Sequence, residues 1–175
     1  MENETYRTIM NRHSCRKFKD KEIDDGILEA IVEAGLSAPT AKNMQGTYFL
    51  TLKDKEAIAE VSKLNAKAMN MGALDPFYGA KAVIVVLYDK KCLNGIYDGS
   101  IAMAQMSIAA ESFGLGNTWI HRAKEVFETE EGKAILKRAG FPEGEYVGVG
   151  NLILGYPEEE SRRVHPIVPN RSFKI

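Results

Sequence analysis

The chain has 175 residues, 45% hydrophobic and 27% charged, which are values of a globular protein rather than a disordered one. Lys and Arg number 23 against 24 Asp and Glu, a formal charge of −1 that carries no general signature for nucleic acid or an anionic membrane. Two cysteines make no disulfide framework, no stretch approaches the roughly 18 apolar residues of a membrane span, and the first residues lack the apolar run of a secretory signal. A cytoplasmic, single-domain protein over residues 1–175 is expected, with no membrane or nucleic-acid partner.

In chain order, Met1 to Met10 reads as a short helix with Tyr6, Ile9 and Met10 as its apolar residues. A strongly basic segment, Arg12 to Lys19, follows. Asp24 or Asp25 caps the next helix, in which Ile27, Leu28, Ile31, Val32 and Leu36 recur at helical spacing until Gly35 and Pro39 mark its end. Thr47 to Leu52 is rich in β-formers and reads as a strand. Asp54 caps a helix carrying Ile58, Val61 and Leu64, and Asn70 to Tyr78 reads as loop. Ala82 to Tyr88 is a continuous apolar run, the mark of a strand buried on both faces.

Gly95 to Gly99 opens the segment Ser100 to Phe113, apolar nearly all round and therefore expected as the central core helix. Gly114 to Gly116 ends it. Asn117 to His121 reads as a short strand, Lys124 to Ala139 as one amphipathic helix, and Tyr146 to Tyr156 as a strand whose Gly148 and Gly150 mark packing or bulge positions. The tail, Pro157 to Ile175, has too few apolar residues to fold alone and is expected to lie against another surface, a second subunit being the candidate. Helices surround one sheet, an α+β layout.

Three segments could carry chemistry. In an extended stretch, Arg12, Ser14 and Arg16 fall on one side, and two guanidinium forks with a hydroxyl suit a phosphate dianion. A solvated basic loop fits the same spacing. Between Ser37 and Gln45, Thr40, Asn43 and Gln45 offer hydroxyl and amide groups able to read a heterocycle, though Pro39 and Asn43 are also ordinary turn residues. Gly114 to His121 combines glycines, which let backbone approach a ligand, with Trp119 and His121. The three histidines at 13, 121 and 165 match no metal spacing, and neither GxGxxG nor GxxxxGK[ST] is present.

Together these segments resemble the FMN-dependent nitroreductase family. The resemblance rests on Arg12-His-Ser-Cys-Arg-Lys-Phe18, Ala38-Pro-Thr-Ala-Lys-Asn-Met-Gln45, Gly114-Leu-Gly-Asn-Thr-Trp-Ile120 and Gly155-Tyr-Pro157, in that order, over about residues 3–157. It implies a mostly antiparallel sheet surrounded by helices, in an intertwined homodimer with FMN at the subunit interface. Arg12, Ser14 and Arg16 would hold the FMN phosphate and ribityl chain, with His13 against the flavin. Pro39, Thr40 and Asn43 would come from the other subunit. Trp119, Ile120 and His121 would supply backbone contacts near flavin N5. No protein group is required as a nucleophile. NAD(P)H would reduce the flavin and leave, and a nitroaromatic, quinone or other flat conjugated acceptor would follow in a ping-pong cycle. Reductive dehalogenation and ene reduction are alternatives within the same fold; a flavin-binding protein without turnover, and a structural dimer whose basic loop binds nothing, are alternatives of other classes.

Three departures from the family pattern stand out. Gly46, Thr47 and Tyr48 follow Gln45 where proline and an aromatic are usual. Lys81 stands where proline is frequent. Pro166 is followed by Ile167 and Val168 rather than a basic residue, leaving Arg162, Arg163, His165 and Arg171 as candidates to complete the phosphate site.

Overall fold

A computed structural model describes residues 3–158 and 168–175. The Arg162, Arg163 and His165 candidates lie outside the described residues.

Four strands form one antiparallel sheet in the order β1-β2-β4-β3: β1 (Thr47–Leu52), β2 (Ala82–Asp89), β3 (Gly116–Ile120) and β4 (Tyr146–Gly155). The central position of β2 explains its unbroken apolar run, because alternate residues serve opposite faces. Val83, Val85 and Leu87 join a core with Leu50 and Ile153, while Ala82, Ile84 and Val86 join another with Leu152 and Leu154. Val86 pairs with Gly150 and Leu87 with Gly148, so Val149 is the extra residue of a bulge, as the glycine spacing in β4 suggested.

The first face is covered by α3 (Lys55–Ala68), α5 (Ala123–Phe127) and α6 (Glu130–Arg138), through Val61, Val126, Phe127, Ile135 and Leu136. The second is covered by α2 (Asp25–Leu36) and α4 (Gly95–Ser112), through Leu28, Ile31, Met103, Met106 and Ala110. The expected caps are in place: Asp24 accepts from the Gly26 N–H and Asp54 from the Ala57 N–H.

Two expectations are corrected. The single helix over Lys124–Ala139 is two. Thr129 takes an extended conformation and its hydroxyl accepts from the Gly132 N–H, capping α6 with Glu130 and Glu131 in the first turn. The core helix begins at Gly95 rather than Ser100. Gly95 and Gly99 are not breakers but contact points. A Cβ on Gly95 would lie 2.0 Å from the Tyr88 ring, and one on Gly99 would lie 2.6 Å from Val149. Nor is α4 covered on every side, since Ile96, Tyr97 and Ile101 remain exposed. The short helix α1 (Glu4–Asn11) lies near α4 and buries none of its residues, leaving Tyr6, Ile9 and Met10 exposed.

Candidate functional site

The basic segment leaves α1 at Arg12 and runs along the outer edge of the sheet. Ser14 bridges Asn117 in parallel, the Cys15 N–H donates to the Asn117 carbonyl at 3.0 Å, and the Thr118 hydroxyl donates to the Cys15 carbonyl. Further on, the Lys19 N–H donates to the Tyr156 carbonyl and Phe18 bridges Pro157. Side chains therefore alternate along it. Cys15 is fully buried, while Ser14 and Arg16 face outward. Gly116 makes this docking possible, because a Cβ there would lie 2.6 Å from the Cys15 Sγ. Gly114, with φ 74°, ends α4. In this chain both glycines of the Gly-Leu-Gly motif thus have work within the chain itself.

Arg12 and Ser14 meet Trp119 and Ser107 on the wall of a cavity of about 330 Å³ between α1, α4 and the sheet, at the small end of ligand pockets. Two buried nitrogens in this neighbourhood have no partner: Nε1 of Trp119, and Nε2 of His13, whose Nδ1 lies 3.1 Å from the Asn11 carbonyl. Buried polar atoms are nearly always satisfied, so such orphans point to a missing ligand. Trp119 lies flat on bare backbone. A Cβ on Gly150 would come within 2.2 Å of its Nε1, and the His121 ring sits beside it at 5.9 Å. Arg16 does not reach the same cavity. Its guanidinium lies over the Tyr78 ring, 5.9 Å from the centroid.

Ile120 is buried and His121 exposed. Both carbonyls are held by the Nδ2 of buried Asn151, at 3.3 and 3.4 Å. A peptide unit is planar, so fixing the Ile120 carbonyl also fixes the direction of the His121 N–H on its far side.

The second segment sits elsewhere. After α2, Pro39 and Thr40 lead into a single 3-10 turn, Ala41–Asn43, in which Lys42, Asn43 and then Gln45 take left-handed φ values of 53°, 54° and 48°. Such backbone persists only where contacts impose it. Here buried Asp98 of α4 accepts from the Ala41 N–H at 3.0 Å, the Thr40 hydroxyl accepts from the Gln45 N–H, and the Gln45 amide donates to Asn43. Asn43 and Pro39 are exposed. Gly46 packs on Cys92, whose Sγ would be 2.2 Å from any Cβ there, proline's included. Burial, together with the charges of Asp89 and Asp98, pushes the Cys92 thiol pKa up. The other internal departure is equally accommodated. The Lys81 N–H donates to the Leu154 carbonyl, a bond proline would forfeit, and its ammonium pairs with Asp20.

The two segments do not meet within one chain. One is tied to α4 at Asp98 and the other borders α4 at Ser107, nine residues on, or roughly 13 Å along the axis. Sequence reasoning missed Asp98 and Asn151, which position these segments. Their signal was a polar residue inside an otherwise apolar run.

The family model described as the nitroreductase family matches residues 9–156. A protein of Archaeoglobus fulgidus, provisionally named an NADH dehydrogenase/NAD(P)H nitroreductase, is 32% identical over 163 residues, covering 90% of this chain and 87% of that one. An FMN reductase (NAD(P)H) of Bacillus subtilis is 28% identical over 182 residues, covering 92% and 69%. The crystal structure of a nitroreductase with bound FMN from Bacteroides fragilis superposes with a TM-score of 0.89 at 25% identity, covering 99% of each chain. With its fold shared along its whole length and the family pattern running from α1 past the end of β4, the chain belongs to the nitroreductase family.

Proposed function

We propose that the protein is an FMN-dependent oxidoreductase that uses NAD(P)H to reduce nitroaromatic, quinone or similar flat conjugated acceptors. The observation that carries this reading is the cavity walled by Arg12, Ser14 and Trp119 beside two orphaned buried nitrogens, in a chain of this family. Cationic and hydroxyl donors suit a phosphate, and the unpaired His13 and Trp119 nitrogens suit a ligand rich in acceptors. FMN held there would supply the redox chemistry, hydride and electron transfer between NAD(P)H and an acceptor binding in ping-pong order.

The protein's part is to hold and orient. Arg12 and Ser14 hold the phosphate end, Arg16 adds positive charge, and His13 lies against the ring. The N–H groups along Trp119, Ile120 and His121 serve its edge, with the Asn151 amide setting the direction of the His121 N–H. Pro39, Thr40 and Asn43 come from the partner subunit, which accounts for their distance from Arg12 in one chain.

A homodimer supports this arrangement. The exposed Tyr6, Ile9 and Met10 of α1 and Ile96, Tyr97 and Ile101 of α4 form apolar surface that a second copy would cover. Each subunit is one domain, and the expected packing of the 157–175 tail falls in good part on residues outside the described ones. Two free buried cysteines suit a cytoplasmic setting.

The test is a flavin spectrum of the purified protein, followed by anaerobic NAD(P)H. Yellow protein that bleaches and recovers on adding menadione or a nitrofuran is expected. A colourless protein that takes up no added FMN overturns the reading. Flavin uptake without NAD(P)H oxidation makes it a flavin-binding protein instead.

A further inference from the structure

Arg16 is the member of the basic segment that leaves the cavity, and its neighbour is a residue of the loop between α3 and β2. That loop is more tightly built than its composition suggests. The Asp75 carboxylate gathers three donors. Its Oδ1 accepts from the Ser62 hydroxyl of α3 and from the Phe77 N–H at 2.9 Å, and its Oδ2 accepts from the Gly79 N–H at 2.7 Å. The backbone it clamps is unusual. Tyr78 has φ 54° and Gly79 φ 67°, and an aromatic residue in the left-handed region is rare unless its surroundings hold it there. Phe77 on one side is fully buried and Ala80 on the other nearly so, so only the Tyr78 ring is turned outward, 42% exposed. It is turned to the Arg16 guanidinium, at a distance where the cation is drawn to the ring face.

An outward-pointing arginine has many rotamers, and each must be given up to bind a phosphate or a flavin oxygen. A guanidinium already seated on an aromatic ring has lost some of that freedom and keeps its fork of donors free at the rim. We propose that Tyr78, held in place by the Asp75 clamp, is a positioning residue for Arg16, and that FMN affinity depends on this aromatic seat. The proposal rests on the FMN reading of the site. It adds that the Met69–Tyr78 loop, with its exposed Met69 and Leu74, is mechanically joined to the cofactor side through Tyr78.

The experiment is an FMN titration of the full chain, followed by quenching of flavin fluorescence, on the wild type, Tyr78→Leu, Tyr78→Phe and Asp75→Asn, each also in an Arg16→Ala background. Tyr78→Leu is expected to raise the FMN Kd about three- to tenfold. Tyr78→Phe, which keeps the ring, should stay within about twofold of wild type. Asp75→Asn presents an NH2 group to the Gly79 N–H and should weaken binding about two- to fivefold. In the Arg16→Ala background the Tyr78→Leu and Asp75→Asn effects should both vanish, because the seat has no occupant. Wild-type binding that Tyr78→Leu leaves unchanged overturns the inference and spares the FMN reading. So does a Tyr78→Leu effect that persists undiminished without Arg16. A wild type that takes up no FMN overturns both.

Discussion

The two faces of the sheet are finished to different degrees. On the α3/α5/α6 face the core runs out to Phe141 and Tyr146, which pack edge-to-face at 5.2 Å, with Tyr48 against Tyr146 at 4.9 Å. Ion pairs tie its rim, among them Arg138–Glu60 and Lys133–Glu130, although a cleft of about 910 Å³ opens beside Phe141 and Tyr146 and the Oδ1 of buried Asn151, next to Asn65 of α3, has no partner. On the α2/α4 face the core beneath the helices is as well buried, but the layer above it stops short. Apolar side chains of α1 and α4 stay in water, two nitrogens are left unpaired, and a cavity opens against Trp119. What marks this face is the exposed apolar layer of α1 and α4 lying beside the cavity that Arg12, Ser14 and Trp119 wall. That is where the proposed cofactor and second subunit would sit.

Glycine substitutions in β4 probe this contrast most sharply, because Gly148 and Gly150 lie two residues apart. Gly148→Ala places a Cβ 2.3 Å from backbone of Ala123 on the finished face, where nothing can swing aside. A loss of about 3 kcal/mol in urea unfolding is expected. Gly150→Ala places its Cβ against the Trp119 indole, a side chain at the edge of a cavity. Stability should fall by about 1 kcal/mol, while FMN affinity falls more than tenfold because the indole moves into the site. Equal stability losses, with no separate effect on FMN, would break the comparison.

Next in size is the exposed apolar layer. Tyr97→Glu and Ile101→Glu should leave urea stability of the subunit nearly unchanged and weaken self-association, by about 2 kcal/mol each if they sit at the interface centre. Sedimentation across a concentration series reads the shift, and FMN should be lost in step. A protein already monomeric before mutation would leave the open face without its proposed cover.

How much of this could be read beforehand depends on the range of the contacts involved. The bounds of β1, the caps at Asp24 and Asp54, and the buried run of β2 were legible because local propensity and period state them. Arg12 and Ser14 were legible as donors, and the structure brings them to one cavity with Trp119, whose side chain was not read as a donor. The start of α4 was not, because Gly95 and Gly99 are set by Tyr88 and Val149 rather than by their neighbours in sequence. The break between α5 and α6 did leave a signal, Thr129 followed by two glutamates, which the apolar pattern on either side masked. The Arg16–Tyr78 and Asp98–Ala41 contacts join residues about 60 positions apart, and no local pattern encodes such a pairing.

Asp98 offers a smaller and more local test. Asp98→Asn keeps an oxygen for the Ala41 N–H but removes the charge that strengthens the bond, so about 1 kcal/mol of stability should go. The loop with three left-handed residues should relax, read as faster hydrogen exchange at Ala41 and Gln45. Loss of the charge should also let the Cys92 thiol pKa fall back, read as faster alkylation near neutral pH, since Asp98 is one of the groups holding it up. Unchanged exchange would mean that the strained turn is fixed from elsewhere.

The smallest effect lies where the basic segment leaves the open face and turns toward the finished one, at Phe18 and Asp20. The Lys81 hydrogen bond, and then its charge, hold the Asp20 carboxyl below the usual carboxylate range, and Asp20 in turn raises the Lys81 ammonium. A depressed carboxyl favours the folded state above its unfolded pKa, and that contribution goes as pH falls through the folded value. A raised ammonium contributes below its unfolded pKa and is lost as pH rises through the folded one. The pair thus shapes stability at both ends of the pH range and is level between them. Because Asp20 is almost fully exposed, salt screens the pair and its worth is small. Lys81→Met should therefore leave the midpoint of urea unfolding near neutral pH almost unmoved and shallow the acid limb below about pH 4. It should leave FMN affinity alone, since Lys81 does not line the cavity. A parallel loss of FMN in Lys81→Met would mean that the open face extends further along the segment than Arg16.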